Sequence, residues 1–399
     1  MISGALPLTA LIASATVFAF WLDWKVPSLS KVGASLIALV LGALLSNVGL
    51  VPATSPVYDT IAGPVTMLAI VWLLLAVNVG DLKLAGPKMV GAFAIAVTGT
   101  AIGAFVGAYL FAGALGADTW KLAGTLTGTY SGGSLNFVAV GRGLELPSAL
   151  FAGATAADAL MTGVWLAATI MLPLWIGRFY PPVPDSATAS AALAPDGATG
   201  RDETHPFFMK ASVSALDLAK LVALAVILLA SAEATAHGLS WLAEGGRVPR
   251  WIGEIPVILW LTTYALIVGH SKRFSRPVGS FQLGTLALHF FFVVIGIWSR
   301  VADIVAVGVE VFLYTAVVVG VHGLFVFGVG RLAKIDAGTL SVASQAAIGG
   351  PSSALAVAVS REWPGFILPG VIVGLMGYAV GTYLGFGVAY LVQGLGVGL

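Results

Sequence analysis

Thr127-Gly128-Thr129-Tyr130-Ser131-Gly132-Gly133-Ser134-Leu135-Asn136-Phe137 and Ile348-Gly349-Gly350-Pro351-Ser352-Ser353 are the stretches on which the fold turns. Each interrupts a moderately apolar segment, 119–142 or 337–360, with paired glycines among small polar residues. A glycine in a helix interior costs about 1 kcal/mol relative to alanine, and Pro351 removes a backbone donor as well. Each segment is therefore either a hairpin with its tip at the glycines or a full crossing with an unwound centre.

The surrounding composition says what kind of solvent these breaks meet. Hydrophobic residues make up 58% of the 399 and charged residues 9%, against roughly 25% charged in ordinary globular chains. The mean hydropathy of +0.99 leaves too little polar surface to coat a water-soluble particle. With no cysteine, five histidines and a net charge of +1, disulfides, thiolate metal sites, cysteine nucleophiles and nucleic-acid binding have no footing. The partner this composition demands is a lipid bilayer. The chain reads as an all-α polytopic membrane protein.

Stretches of membrane-crossing length fall near 4–22, 31–51, 57–78, 87–114 and 146–176, then near 215–244, 250–270, 279–298, 301–333 and 363–396. The first lacks a basic leader and a small-residue cleavage site, so it reads as a retained span. Residues 177–213, with Pro181, Pro182, Pro184, an Ala/Ser run and Asp196, Arg201, Asp202 and Glu203, read as an aqueous linker. Charge arbitrates between the two readings of the broken segments. If both cross, the 19 basic residues split nine to ten between the faces; if both are re-entrant, fourteen share one face and five the other. The positive-inside rule selects re-entrant hairpins, a cytoplasmic linker and both termini outside, and the expected location is the cell (inner) membrane.

A shift of 217 positions aligns the broken segments without a gap: Gly132-Gly133 on Gly349-Gly350, Ala139-Val140 on Ala356-Val357, Gly153 on Gly370. Each half, 1–176 and 214–399, then holds five crossings and one hairpin. Five is odd, so the second copy is expected upside down relative to the first. Inverted repeats meeting at broken helices near the midplane recur in secondary transporters, because two inversely related copies can interchange conformations and expose one site to either side.

These motifs, together with Ala154-Thr155-Ala156-Ala157-Asp158 and Leu368-Pro369-Gly370, resemble the integral-membrane family called domain of unknown function 819 over nearly the whole chain. That family is grouped with the cation/proton-antiporter and anion-transporter superfamily, which includes bile-acid and glutamate sodium symporters. The resemblance implies an elevator-type secondary transporter with a mobile core and a scaffold, and it extends to this chain the homodimer common among such scaffolds. Where the family often has Asn after the Asp and before the Ile-Gly-Gly, this chain has Ala159 and Ala347, a departure that bears on ion coordination.

Unwound backbone in lipid must be satisfied by protein or line a water-filled cavity. Half-helix N-termini attract anions, and free carbonyl and hydroxyl oxygens suit cations. The substrate-binding candidates are accordingly Thr127, Thr129, Ser131, Gly132, Gly133, Ser134 and Asn136 from one half. Ser344, Gln345, Gly349, Gly350, Ser352 and Ser353 come from the other. Asp158 sits well inside a span, where an ionised carboxylate costs on the order of 2.5–3.5 kcal/mol and needs a partner. With Asn136, Ser134 and Thr155 it forms the candidate coupling-ion set, for H+ or for Na+ as the sole metal; no resident cofactor is expected. The bland alternative for the glycines is close helix packing. Glu233 and His237, spaced i,i+4, read as a local pair, and Glu310 as a less favoured functional candidate. His289 reads as a neutral histidine bonded to a neighbouring helix, Asn78 as a helix-end group, and Lys272, Arg273 and Arg276 as a topological cluster. Trp21, Trp24, Trp72, Trp251, Trp298 and Trp363 read mostly as interfacial anchors.

The expected activity is secondary active transport of a small polar organic solute, an anion such as a carboxylate, amino acid or short peptide, coupled to a Na+ or H+ gradient. A passive channel and an intramembrane hydrolase built on Ser131 or Ser134 with Asp158 are the alternatives. The hydrolase lacks a histidine within these motifs to serve as base. The chain is therefore expected not to be an enzyme.

Overall fold

The computed structural model describes residues 2–26, 29, 33–75, 82–184, 212–271, 277–298, 301–361 and 363–398. All regular structure among them is helical, without a strand. The helices of ten residues or more are α1 Ala5–Lys25, α2 Gly33–Asn47, α3 Pro56–Leu75, α4 Pro87–Leu115, α5 Thr119–Thr129, α6 Ser134–Gly143, α7 Ser148–Ile176, α8 Ala215–Glu244, α9 Val257–Gly269, α10 Ser280–Trp298, α11 Val301–Leu332, α12 Ala337–Ser360 and α13 Ile367–Gly394. Every expected span coincides with a helix. Among the described residues eight stretches are long and apolar enough to cross a membrane, while α2 and α9 are shorter than a full crossing requires. The protein is a membrane protein.

The chain forms two compact units, and each draws on both halves of the sequence. One comprises Met1–Asn78 and Lys210–Asp303, the other Val79–Met209 and Ile304–Leu399. In the first unit, α2 and α10 cross at reciprocal glycines: a methyl group on Gly42 would strike the Val293 carbonyl, and one on Gly296 the Leu39 carbonyl. α3 contains one π-helical turn, Ile61–Val65, around Pro64. Proline cannot donate to the helix ladder, and just beyond it the Ile61 carbonyl accepts both the backbone N–H and the hydroxyl of Thr66, the latter at 2.7 Å.

The second unit holds both broken segments, and both double back. In the first, Lys121 Nζ donates to the Glu145 carbonyl at 3.3 Å across the open end. Nearer the tip, a methyl group on Gly128 would lie 3.1 Å from the Asn136 carbonyl. α5 and α6 are therefore the antiparallel arms of a hairpin whose tip is residues 130–133. In the second, a methyl group on Gly370 would touch both Val342 and Ala354. A straight helix would hold those residues about 18 Å apart. α12 thus folds at Gly350 into arms 337–349 and 351–360. Of the two readings open in the sequence, the backbone takes the hairpin at both places.

α4 and α11 pack closely in the same unit. Gly99, Gly103 and Gly107 recur every fourth residue, and a methyl group on each would strike Phe325, Val318 or Tyr314 of α11, the small-residue packing of membrane helices. Tyr314 seals this seam by donating to the Ala104 carbonyl at 2.7 Å.

Two tryptophans depart from the expected belt. Trp72 is buried and donates to the Leu221 carbonyl at 3.0 Å, and Trp363 is buried edge-on against Phe366. Both rings found protein partners for their apolar faces, so neither is free to anchor at an interface. Asn78, the cluster Lys272, Arg273 and Arg276, and linker residues 185–211 lie outside the described residues. At the start of the linker stretch, Tyr180 donates to the Phe327 carbonyl at 2.8 Å.

Candidate functional site

The site is built on two glycines 217 positions apart with the same backbone conformation: Gly133 at φ 82°, ψ −168° and Gly350 at φ 75°, ψ −167°. This region is open essentially to glycine alone, which accounts for one member of each Gly-Gly pair. The tips also meet. A methyl group on Gly133 would sit 3.9 Å from the backbone of Gly350, with the Tyr378 ring at 3.8 Å. α6 and the second arm of α12, ten residues each, both begin at this meeting point. Their positive helix ends therefore converge there.

α13 is the seat for both hairpins. Its glycines at 370, 374, 377, 381 and 385 run along one face. Gly370 abuts the arms of the second hairpin, and a methyl group on Gly374 would lie 2.7 Å from Pro351 N at that tip. One on Gly377 would lie 2.5 Å from the Ser131 carbonyl at the other tip, and one on Gly385 2.8 Å from the Gly124 carbonyl in its arm. The other glycine of the first pair is explained in the same way: a methyl group on Gly132 would strike the Gly377 carbonyl. Close packing and the sharp turn operate together at these motifs, so the bland reading of the glycines is part of the answer.

Asn136 clamps this seat. Its amide donates to the Gly377 carbonyl at 2.8 Å and its carbonyl accepts from Thr382 at 2.8 Å, all buried. Thr382→Val keeps the shape and removes the donor, so a loss of about 1 kcal/mol is expected, read as a lowered Tm in detergent. An unchanged Tm would mean the clamp contributes nothing.

The remaining predicted residues divide by whether their polar atoms are already engaged. Thr127 and Thr155 donate to carbonyls one helical turn back, at 2.8 Å each, and Ser353 donates to the Gly349 carbonyl at 2.9 Å. Ser344 holds two partners, the Trp165 indole and His322. The hydroxyls of Thr129 and Ser131 and the amide nitrogen of Gln345 are buried without a hydrogen-bond partner, while the Gln345 carbonyl oxygen lies 3.3 Å from Thr169 Oγ1, whose one proton also has the Trp165 and Leu166 carbonyls at 3.0 Å. Ser134 is exposed at the tip. Of Ser352 only the backbone is described. Asp158 is half-buried on α7, accepting from Thr162 at 3.3 Å. The Tyr130 hydroxyl interacts electrostatically with its carboxylate but closes no ordinary hydrogen bond. The structure thus gathers the tip residues of both halves and separates unpartnered groups from those used in packing.

With that geometry in hand, comparison with known proteins is informative. A family model described as "Protein of unknown function (DUF819)" matches residues 10–395. The chain belongs to this family. It is also 27% identical over 358 residues to "Uncharacterized membrane protein YjcL" of Bacillus subtilis (strain 168), covering 89% of each chain. The match runs through both hairpins and the α13 seat, so the whole arrangement lies within the family's span.

Several residues at the site escaped the sequence reading: Tyr130, Thr162, Trp165, Thr382 and, above all, Thr100 and His322. For Thr382 a signal existed, since it stands beside Gly381 in the three-to-four glycine spacing of α13. His322 had none, because it contacts Thr100 across 222 positions. Other titratable candidates resolve locally. His289 lies 2.7 Å from the Thr285 carbonyl and 3.4 Å from Ser35 Oγ on α2, the neighbour-bonded arrangement anticipated for it. Glu233 and His237 are both exposed, and no ion pair joins them despite the i,i+4 spacing. Glu310 is half-buried on α11.

Proposed function

We propose that the protein is a secondary active transporter, not an enzyme, for a small polar organic anion such as a carboxylate, amino acid or short peptide. The observation that carries this reading is the meeting of two glycine tips ringed by buried, unpartnered polar groups. Such groups cost about 1–3 kcal/mol each if nothing ever satisfies them, and a substrate, an ion or water at the tips would do so. The converging helix ends face the anionic part of the solute. Asp158 and the oxygens of Ser134, Asn136 and Thr155 take the coupling Na+ or H+; Thr155 Oγ1, which donates to the Phe151 carbonyl, and Asn136 Oδ1, which accepts from Thr382, each keep a lone pair for a cation.

In this reading the two halves are inverted repeats and the hairpins are re-entrant in the bilayer. The unit with both hairpins is the moving core and the other the scaffold of an elevator, as in the cation/proton-antiporter and anion-transporter superfamily. A homodimer in the inner membrane with both termini outside completes it. A passive channel would need polarity spread along a continuous path, whereas here it is concentrated at the tips.

The hydrolase reading gains one observation, since Ser344 Oγ lies 2.8 Å from His322 Nε2. Both groups are wholly buried and Ser344 also accepts from Trp165, so no face is open to a scissile bond. Binding can be tested directly by thermal shift of the purified protein with dicarboxylates, amino acids and dipeptides, each in Na+ and in K+ buffer and at two pH values. Ligand at 100 times its Kd should stabilise by about 2.7 kcal/mol, with ion or pH dependence. Stabilisation by none of these probes under any condition would remove the proposal.

A further inference from the structure

The two hairpins share more than their tips. At the first tip, the Tyr130 carbonyl accepts from the hydroxyl of Thr100 on α4 at 2.8 Å. Thr100 Oγ1 lies 2.8 Å from Nδ1 of His322 on α11. The other ring nitrogen, Nε2, lies 2.8 Å from Ser344 Oγ on the first arm of the second hairpin. Ser344 accepts in turn from the Trp165 indole of α7 at 2.9 Å. All four side chains are buried.

Proton counting gives the chain a direction. Thr100 has one hydroxyl proton, and it is engaged by Tyr130, so the contact with His322 must run from Nδ1–H to Oγ1. Nε2 is then a lone pair, Ser344 donates to it, and the Ser344 oxygen remains free to accept from Trp165. A single neutral tautomer, assigned from the network, satisfies every member. Removing any one of them strands its neighbours without partners, which is costly in a buried network.

We propose that His322 is a positioning residue that locks the first hairpin's tip to the second hairpin's arm, so that displacement of one is transmitted to the other. The use of this lock rests on the reading of the tips as the transport site: a solute touching both tips would meet them in one fixed orientation. The absence of cysteine from the chain allows a clean test. Ser134→Cys places a single thiol at the exposed first tip, and its rate of maleimide labelling in reconstituted protein reports how that tip opens.

Ser344→Ala, on the other hairpin, should raise that rate about fivefold to tenfold, as the loss of a buried hydrogen bond shifts local opening. Thr100→Val should do the same and Thr100→Ser should restore the original rate. The double variant Ser344→Ala/Thr100→Val should match either single, because both break one chain. An unchanged rate in Ser344→Ala, or a double variant whose effect is the product of the singles, would overturn the lock. His322→Gln should behave as the singles do; if it fails to fold, the threonine and serine variants still decide. Labelling needs no solute, so a failed lock would leave the transport reading intact, and an empty ligand screen would leave the lock intact.

Discussion

Gly377→Val should abolish monodisperse, folded protein in detergent, the largest structural effect expected of any single substitution at the site. The first atom of the new side chain would already fall 2.5 Å from the Ser131 carbonyl and 2.7 Å from Gly132 Cα. Both are backbone atoms of a tip whose partner glycine has no alternative conformation, so neither can rotate aside. Overpacking among adaptable side chains costs about 1–3 kcal/mol; against fixed backbone the upper end or beyond is expected, a large share of the 5–15 kcal/mol that typically holds a protein folded. Gly387→Ala, on the same helix, provides the control. That position is exposed and a methyl group there meets nothing within 4 Å, so Tm should stay level or rise slightly as helix propensity improves. A wild-type elution profile and Tm for Gly377→Val would mean that the first hairpin is not seated on α13 as described.

That contrast also marks what could be read from the sequence. Hydropathy located the long apolar helices, because the energy of placing a segment in lipid depends on its own residues. The glycine pairs and their 217-residue spacing were legible because a backbone conformation closed to other residues leaves glycine as its trace. What faced what was not legible. The five glycines along one face of α13 announced a helix that something approaches closely, yet only the folded chain shows two hairpins sharing it. Trp72 and Trp363 sit near span ends, where an interface would lie; Trp72 is buried through Leu221, 149 positions away, and Trp363 through a local turn that lays it edge-on against Phe366. His322 carried no flanking motif at all. Ser344 and Gln345 read as equal members of a ligand set, and the structure separates them: one hydroxyl is committed to Trp165 and His322, while one amide nitrogen remains without a partner.

Asp158→Asn should leave the fold intact and remove ion-coupled function, and the separation of these two readouts is what makes the variant decisive. The side chains differ by one atom type, so volume is conserved. The bond from Thr162 can be kept, since the amide oxygen accepts as the carboxylate does. Among the described residues no cation lies in ion-pair contact with Asp158, so its neutralisation would strand no charge. Neutralising a carboxylate within a membrane helix relieves a desolvation cost of on the order of 2.5–3.5 kcal/mol, and Tm should therefore hold or rise. If Asp158 binds the coupling cation or carries the coupling proton, the Na+- or pH-dependent part of the thermal shift should disappear. Gradient-driven uptake in proteoliposomes should fall to the level of empty vesicles. Asp158→Glu keeps the charge but displaces it by one methylene, and should retain ion dependence at reduced apparent affinity. If Asp158→Asn instead unfolds, the carboxylate serves the packing of α7 against the first tip; if it folds and still couples uptake to the gradient, the ion is carried elsewhere, and the unpartnered hydroxyls of Thr129 and Ser131 become the groups to substitute next.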